Sequence, residues 1–153
     1  MLGCVQQPPN YNNTIEVIED YDVLKKRLQN GADSIYVLNF WATSCPPCIE
    51  EIPHFNRLEA TGEYDRLKIL LVSLDREKDL EKRVYPFVEK HQIVPEVLVL
   101  EDQNYSRWTA DIDRSWFGAL PGTLIINEEK RNFQFGMYES YEDLLEDIEK
   151  VRE

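Results

Sequence analysis

The sequence predicts an α/β domain: a central mixed sheet flanked by helices. Three observations carry this expectation. From Ser34 onward, apolar β-branched runs alternate with amphipathic segments, which implies parallel strands joined by right-handed crossovers. Two late strand-like runs are separated only by Glu128, Glu129 and Lys130, a hairpin signal that adds an antiparallel pair. No repeat or linker-like composition interrupts residues 14–153, and 153 residues suffice for one domain with a sizeable core.

The elements follow in order. Residues 1–13, dominated by Asn, Gln and Pro, read as a flexible linker ahead of a domain spanning 14–153. "DYDVLKKRLQNGAD" offers Tyr21, Val23, Leu24 and Leu28 to a short helix that Gly31 stops. "SIYVLNFWA" is aromatic and β-branched, the pattern of a strand buried on both faces. In "CPPCIEEIPHFNRLEATG", Cys48, Ile52, Phe55 and Leu58 share one helical face, and Gly62 ends the helix. "LKILLVSLD" is a second buried strand. "EKDLEKRVYPFVEKHQI" is helical through Leu80, Val84, Phe87 and Val88, with a disturbance at Pro86. "EVLVLED" is a third, shorter strand, and "NYSRWTADIDRSWFGAL" a helix followed by a loop. "GTLIIN" and "RNFQFGMY" form the hairpin, and "SYEDLLEDIEKVRE" closes the chain as an amphipathic helix capped by Ser140.

Composition narrows the function. A hydrophobic content of 42% is that of a folded chain. The net charge of -12 argues against nucleic acid and anionic membrane surfaces as partners, since both need basic patches. No apolar run reaches the ~18 residues of a spanning helix. Three cysteines are too few for a disulfide-stapled scaffold. One of them, Cys4 in "MLGC", precedes the polar "VQQPPNYNN". That string resembles the end of a bacterial lipoprotein signal, with Cys4 as the acylated residue; the alternative is an ordinary cysteine in a tail.

Cys45 and Cys48 form "CPPC", open to three readings: a redox couple, half of a metal site, or a staple. With Cys45 as helix cap, Pro46 takes the first helical position, where a missing N–H costs nothing. Pro47 also lacks an N–H, so the Cys48 amide is the first donor free to reach the Cys45 sulfur. That donor and the helix dipole favour a Cys45 thiolate and lower its pKa from the free value near ~8.5. Thiolate is the attacking species in disulfide exchange. Cys48, one turn into the helix, is expected to be buried and placed to resolve a mixed disulfide. A structural zinc site needs about four ligands, and beyond this pair only Cys4, His54, His91 and carboxylates remain. A staple closing so short a loop adds little chain-entropy stabilisation. The reading favoured is a redox-active dithiol, with no metal or other cofactor. A copper relay using Cys45, Cys48 and a histidine such as His91, and a non-catalytic module that binds extended chains, stay open.

"VLNFWATSCPPCIEEIP" resembles the active-site segment of the thioredoxin superfamily, specifically its TlpA/ResA-like extracytoplasmic thiol–disulfide oxidoreductases. "ALPGTLIIN" resembles the loop and strand that carry that family's cis-proline. The resemblance covers residues 33–153 and implies a thioredoxin-like fold with an N-terminal extension. It implies Cys45 as nucleophile and Cys48 as resolver. It makes Pro121 the cis-proline that holds the Leu120 backbone for pairing with a substrate's extended chain. Trp41 matches the tryptophan packed beside the site, and Glu51 an acid that tunes or relays the thiol proton. Pro53 matches a proline that kinks the active-site helix.

Asn39 stands where cytosolic thioredoxins carry a buried aspartate, so that proton route is missing; the TlpA-like branch commonly has Asn there. Ser44 replaces a tryptophan often found before the first cysteine, which alters the surface around Cys45. Trp116 and Phe117 either line a hydrophobic substrate groove or pack the loop. The implied activity is reduction of protein disulfides in the periplasm or cell envelope. The implied partners are a disulfide-containing or dithiol protein substrate and a membrane electron donor, with the protein itself a monomer.

Overall fold

A computed structural model describes residues 14–31 and 33–153; the expected linker over 1–13 and Cys4 lie outside them. The apolar run read as a doubly buried strand is β2 (Ile35–Trp41), and it occupies the middle of a six-stranded sheet. On one side β2 pairs in parallel with β3 (Leu67–Ser73), which pairs in parallel with β4 (Glu96–Leu100). On the other it pairs antiparallel with β5 (Gly122–Ile126), which continues antiparallel to β6 (Arg131–Phe135). The short β1 (Glu16–Ile18) lies parallel to β4, giving the order β1-β4-β3-β2-β5-β6. The sheet is mixed, as the alternation and the late hairpin require.

Side chains that alternate along β2 enter two different cores. Val37 and Trp41 join a core with α2 (Pro46–Thr61), α3 (Tyr85–Lys90) and α5 (Tyr141–Arg152), through Ile52, Phe55, Val88, Leu144 and Ile148. Tyr36, Leu38 and Phe40 join the core on the opposite face, under α1 (Tyr21–Asn30) and α4 (Tyr105–Ile112). That second core is aromatic: Trp108 lies 5.8 Å from Phe40 and 5.7 Å from Trp116 between ring centroids. Among the described residues no helix is long and apolar enough to cross a membrane.

The punctuation residues act as read. Gly62 ends α2 in the left-handed region at φ 57°, where a side chain would be strained. Ser140 Oγ accepts the Asp143 N–H at 3.1 Å and caps α5. Two elements differ from expectation. β1 gives no sequence signal because three residues show no period, and so short a strand exists only by adding to the edge offered by β4. The helix expected over 77–93 is instead a 3-10 turn (Glu77–Asp79), a π turn (Leu80–Val84) and then α3. In the π turn the Tyr85 N–H donates to Leu80 O, five residues back. Pro86 supplies the reason: it has no N–H, and its ring would strike the carbonyl four residues earlier in a regular helix.

The face of α2 that carries Cys48, Ile52, Phe55 and Leu58 is buried as the spacing predicted. Phe55→Ala removes the largest of these side chains from a site with no exposure. It is expected to lower unfolding free energy by about 3–5 kcal/mol, read as a lower urea midpoint with an unchanged slope.

Candidate functional site

The site is built where β2 hands over to α2. β2 ends at Trp41, and the Cys45 N–H donates to Ala42 O at 3.2 Å, closing a four-residue turn. Cys45 keeps extended backbone angles (φ -104°, ψ 102°) and caps α2, with Pro46 and Pro47 in the first helical positions. Its carbonyl accepts the Ile49 N–H at 3.2 Å, the first bond of the helix. Cys45 is half-buried and Cys48, one turn in, is 0% exposed. The two are joined by a disulfide, with Cα atoms 5.3 Å apart, inside the range such a bond needs. In this oxidised state the Cys45 side chain accepts no capping hydrogen bond, because its sulfur is bonded to Cys48 rather than free as a thiolate.

The Leu120–Pro121 peptide is cis. Pro121 O accepts the Gly136 N–H at 3.0 Å, which ties this loop to the end of β6. Leu120 is half-buried and packs against both cores, and Cys45 packs against the one that contains Cys48. No hydrogen bond among the described residues engages the Leu120 backbone.

Glu51 lies one turn beyond Cys48 and is 0% exposed. Its Oε1 accepts Asn39 Nδ2 at 2.7 Å and its Oε2 accepts the Tyr138 N–H at 2.9 Å. The same Asn39 nitrogen donates to Thr123 Oγ1 at 3.0 Å, two residues past Pro121. Burial pushes the Glu51 pKa up to about 7, against the opposing pull of the Tyr138 and Asn39 hydrogen bonds. Near neutral pH this carboxyl can therefore take up or release a proton inside the core. Asn39 is thus more than the absence of an aspartate: it holds Glu51 and links it to β5. Tyr138 also donates its hydroxyl to Asp147 Oδ2 at 2.8 Å, and Asp147 pairs with Lys150 at 2.8 Å. Burial and the Asp147 charge push the Tyr138 phenol far above its ordinary pKa. The roles of Thr123 and Tyr138 escaped the sequence reading: Thr123 lies within "ALPGTLIIN" but its bond to Asn39 leaves no local trace, and a main-chain donor such as that of Tyr138 carries no motif.

Trp41 is 1% exposed and stacks on Phe87 with centroids 5.0 Å apart. Its Nε1 is the one buried side-chain nitrogen or oxygen without a hydrogen-bond partner among the described residues. It lies beneath the site, in the Cys48 core. The two residues ahead of the proline divide. Trp116 is buried, donates Nε1–H to Ala119 O at 2.8 Å and lies 5.0 Å from Phe40, so it packs the loop. Phe117 is 90% exposed. His91 ends α3 against Phe87, with centroids 4.2 Å apart, and burial and Lys90 lower its pKa. No group of three or more His, Cys, Asp or Glu side chains among the described residues is placed to hold a metal.

The strand order, with three parallel pairings and two antiparallel ones between two helical layers, is that of a thioredoxin-like protein. Solved structures with the same architecture include a thioredoxin-related protein from Neisseria meningitidis serogroup B. That one has a TM-score of 0.65 and 16% identity, over 77% of this chain and 84% of that one. StoA from Bacillus subtilis has a TM-score of 0.57 and 19% identity, over 74% of this chain and 81% of that one. The chain belongs to the AhpC/TSA family, whose profile matches residues 9–131. It is 30% identical over 112 residues to the thiol-disulfide oxidoreductase ResA of Halalkalibacterium halodurans. That match covers 73% of this chain and 58% of the relative, so the chain spans less than two thirds of the relative's length.

Glu51 generates a pH prediction. Its folded pKa of about 7 lies above the ordinary 4.5, so between these values the folded state holds a proton that the unfolded state has lost. The stabilisation is complete below the lower pKa and is lost as pH rises through the upper one. Relative to Glu51→Gln, the unaltered protein is expected to lose on the order of 3 kcal/mol across that window. Urea unfolding of both proteins at a series of pH values measures the difference.

Proposed function

We propose that this protein is a thiol–disulfide oxidoreductase that reduces protein disulfides outside the cytoplasm. The observation that carries the reading is the asymmetry of the pair: Cys45 is half-exposed at a helix cap and Cys48 is fully buried one turn inside. From the dithiol form, the Cys45 thiolate attacks one sulfur of a substrate disulfide. An S–S bond forms between Cys45 and the substrate, and the other substrate sulfur leaves as a thiolate. Cys48 then loses its proton and attacks Cys45 Sγ, releasing the second substrate thiolate. Two electrons pass to the substrate, and the enzyme is left with the Cys45–Cys48 disulfide described above.

Glu51, one turn from Cys48 and titrating near neutrality, takes the Cys48 proton in the second step. The unpaired Leu120 backbone, set by Pro121, pairs with the extended chain that carries the substrate disulfide. Trp41 acts from below, as packing that fixes the Cys48 side of the helix. A membrane-bound donor of the thiol–disulfide exchange type returns the two electrons. The protein works as a monomer in the periplasm or cell envelope, with Cys4 as the site of lipid attachment. The names of its relatives, ResA among them, support the activity.

Turnover of insulin as a disulfide substrate tests the cycle. Cys45→Ser is expected to abolish it, and Cys48→Ser to accumulate a mixed disulfide visible on a non-reducing gel. Full turnover by Cys48→Ser would falsify the resolving role.

A further inference from the structure

We propose that Asp75 is a positioning residue for Cys45. It fixes the turn that delivers the sulfur to the helix cap, and the proposal rests on the dithiol reading above. The turn of residues 42–45 is the joint between β2 and α2, and one side chain just past the end of the neighbouring strand grips it. Asp75 Oδ2 accepts the Thr43 N–H at 3.0 Å, and Asp75 Oδ1 accepts the Thr43 hydroxyl at 2.7 Å. Both carboxylate oxygens thus hold one residue, by its main chain and its side chain together, two positions before Cys45.

The carboxylate is itself held. Ser73 Oγ donates to Asp75 Oδ2 at 2.6 Å and accepts the Asp75 N–H at 3.0 Å. Ser73 is fully buried and pairs in register with Trp41, the last residue of β2. One residue further, the Leu74 N–H donates to Trp41 O at 2.8 Å, so the two chains stay joined up to the point where Asp75 takes over. Two hydrogen bonds therefore run from Asp75 into the first half of the turn, and two more hold Asp75 on Ser73. The second half is closed by the Cys45 N–H on Ala42 O.

A carboxylate suits the task because it is an acceptor at both oxygens and forms the stronger, charge-assisted bonds. Without it, Thr43 would lose its main-chain and side-chain partners at once. The Cys45 sulfur would then sample positions away from the helix axis, where the dipole no longer favours its thiolate. A loss of position of this order is enough to slow a reaction by tenfold or more.

The experiment uses the full chain in its dithiol form and reads the rate at which iodoacetamide alkylates Cys45 at pH 7. Asp75→Ala, which removes both partners of Thr43, is expected to slow alkylation about tenfold. Thr43→Val, which keeps the main-chain bond, is expected to slow it by less but measurably, with Thr43→Ser close to the unaltered rate. In insulin reduction, kcat should fall with the alkylation rate while KM holds. Thr43→Val leaves the Asp75 charge in place, so its slowing reports position rather than charge, and it serves where Asp75→Ala fails to fold. Unchanged alkylation in Thr43→Val, or faster alkylation in Asp75→Ala, overturns the proposal; the first leaves only a structural hydrogen bond and the second assigns Asp75 an electrostatic effect. Alkylation needs no protein substrate. If the unaltered protein fails to reduce insulin, the reductase reading fails while the alkylation series still decides the role of Asp75.

Discussion

A carboxyl group with no access to water must find its partners inside the protein, and Glu51 finds them on two other parts of the fold. It belongs to α2, takes one hydrogen bond from Asn39 on β2 and one from the main chain at Tyr138, after β6. Through Asn39 it also reaches Thr123 on β5. Leaving any of these groups unpaired in the core would cost on the order of 1–3 kcal/mol, and more for a charge. The packing of α2 on the sheet and the placing of the Pro121 loop are therefore constrained together. Glu51 follows Cys48 by one helical turn, and Thr123 follows Pro121 by two residues.

This buried polar bridge carries a standing cost. Burial holds Glu51 near neutrality rather than in the ordinary carboxylate range, so the core must accommodate a group that changes charge under working conditions. A purely structural position of that depth would be better filled by an apolar side chain of similar size. The group stands one turn from Cys48, where the proposed cycle has a use for a carboxyl that exchanges a proton near neutrality. The asymmetry of the cysteines follows from equally local causes. The helix cap leaves Cys45 at the surface of its core, and one turn of α-helix carries Cys48 into it.

The joint between β2 and α2 is fixed from two directions. Behind it, Trp41 fills the core against Phe87; beside it, Asp75 grips Thr43 from the end of β3. The strand pairing brings these groups together, since Trp41 and Ser73 are register partners. On the far side of the sheet, the aromatic core of Tyr21, Phe40, Trp108 and Trp116 supports β2 and the loop that leads to Pro121. Trp116 closes that loop by donating to Ala119 O and so leaves Phe117 to solvent. The aromatic pair that looked alike in sequence thus divides into an anchor and an exposed ring.

Much of the fold was legible because its signals are local. The doubly buried β2 and β3, the caps at Gly62 and Ser140 and the apolar face of α2 each follow from side chains acting on their own segment. The cysteine pair was legible for the same reason: two prolines after Cys45 suit the start of a helix and nothing else nearby. The three-residue β1 was not, because only the edge of β4 gives it a partner. The π turn before Pro86 was visible as a disturbance without a shape, since several distortions would spare the missing N–H. The partners of Glu51 and the grip of Asp75 on Thr43 belong wholly to the tertiary structure. They join residues 12 to 87 positions apart, through main-chain donors and single polar side chains that leave no periodic trace. Sequence by itself determined which residues could carry thiol chemistry and which segments would form the sheet and helices. Folding decided which polar groups were shut away from water together, because that depends on how segments pack rather than on any one of them.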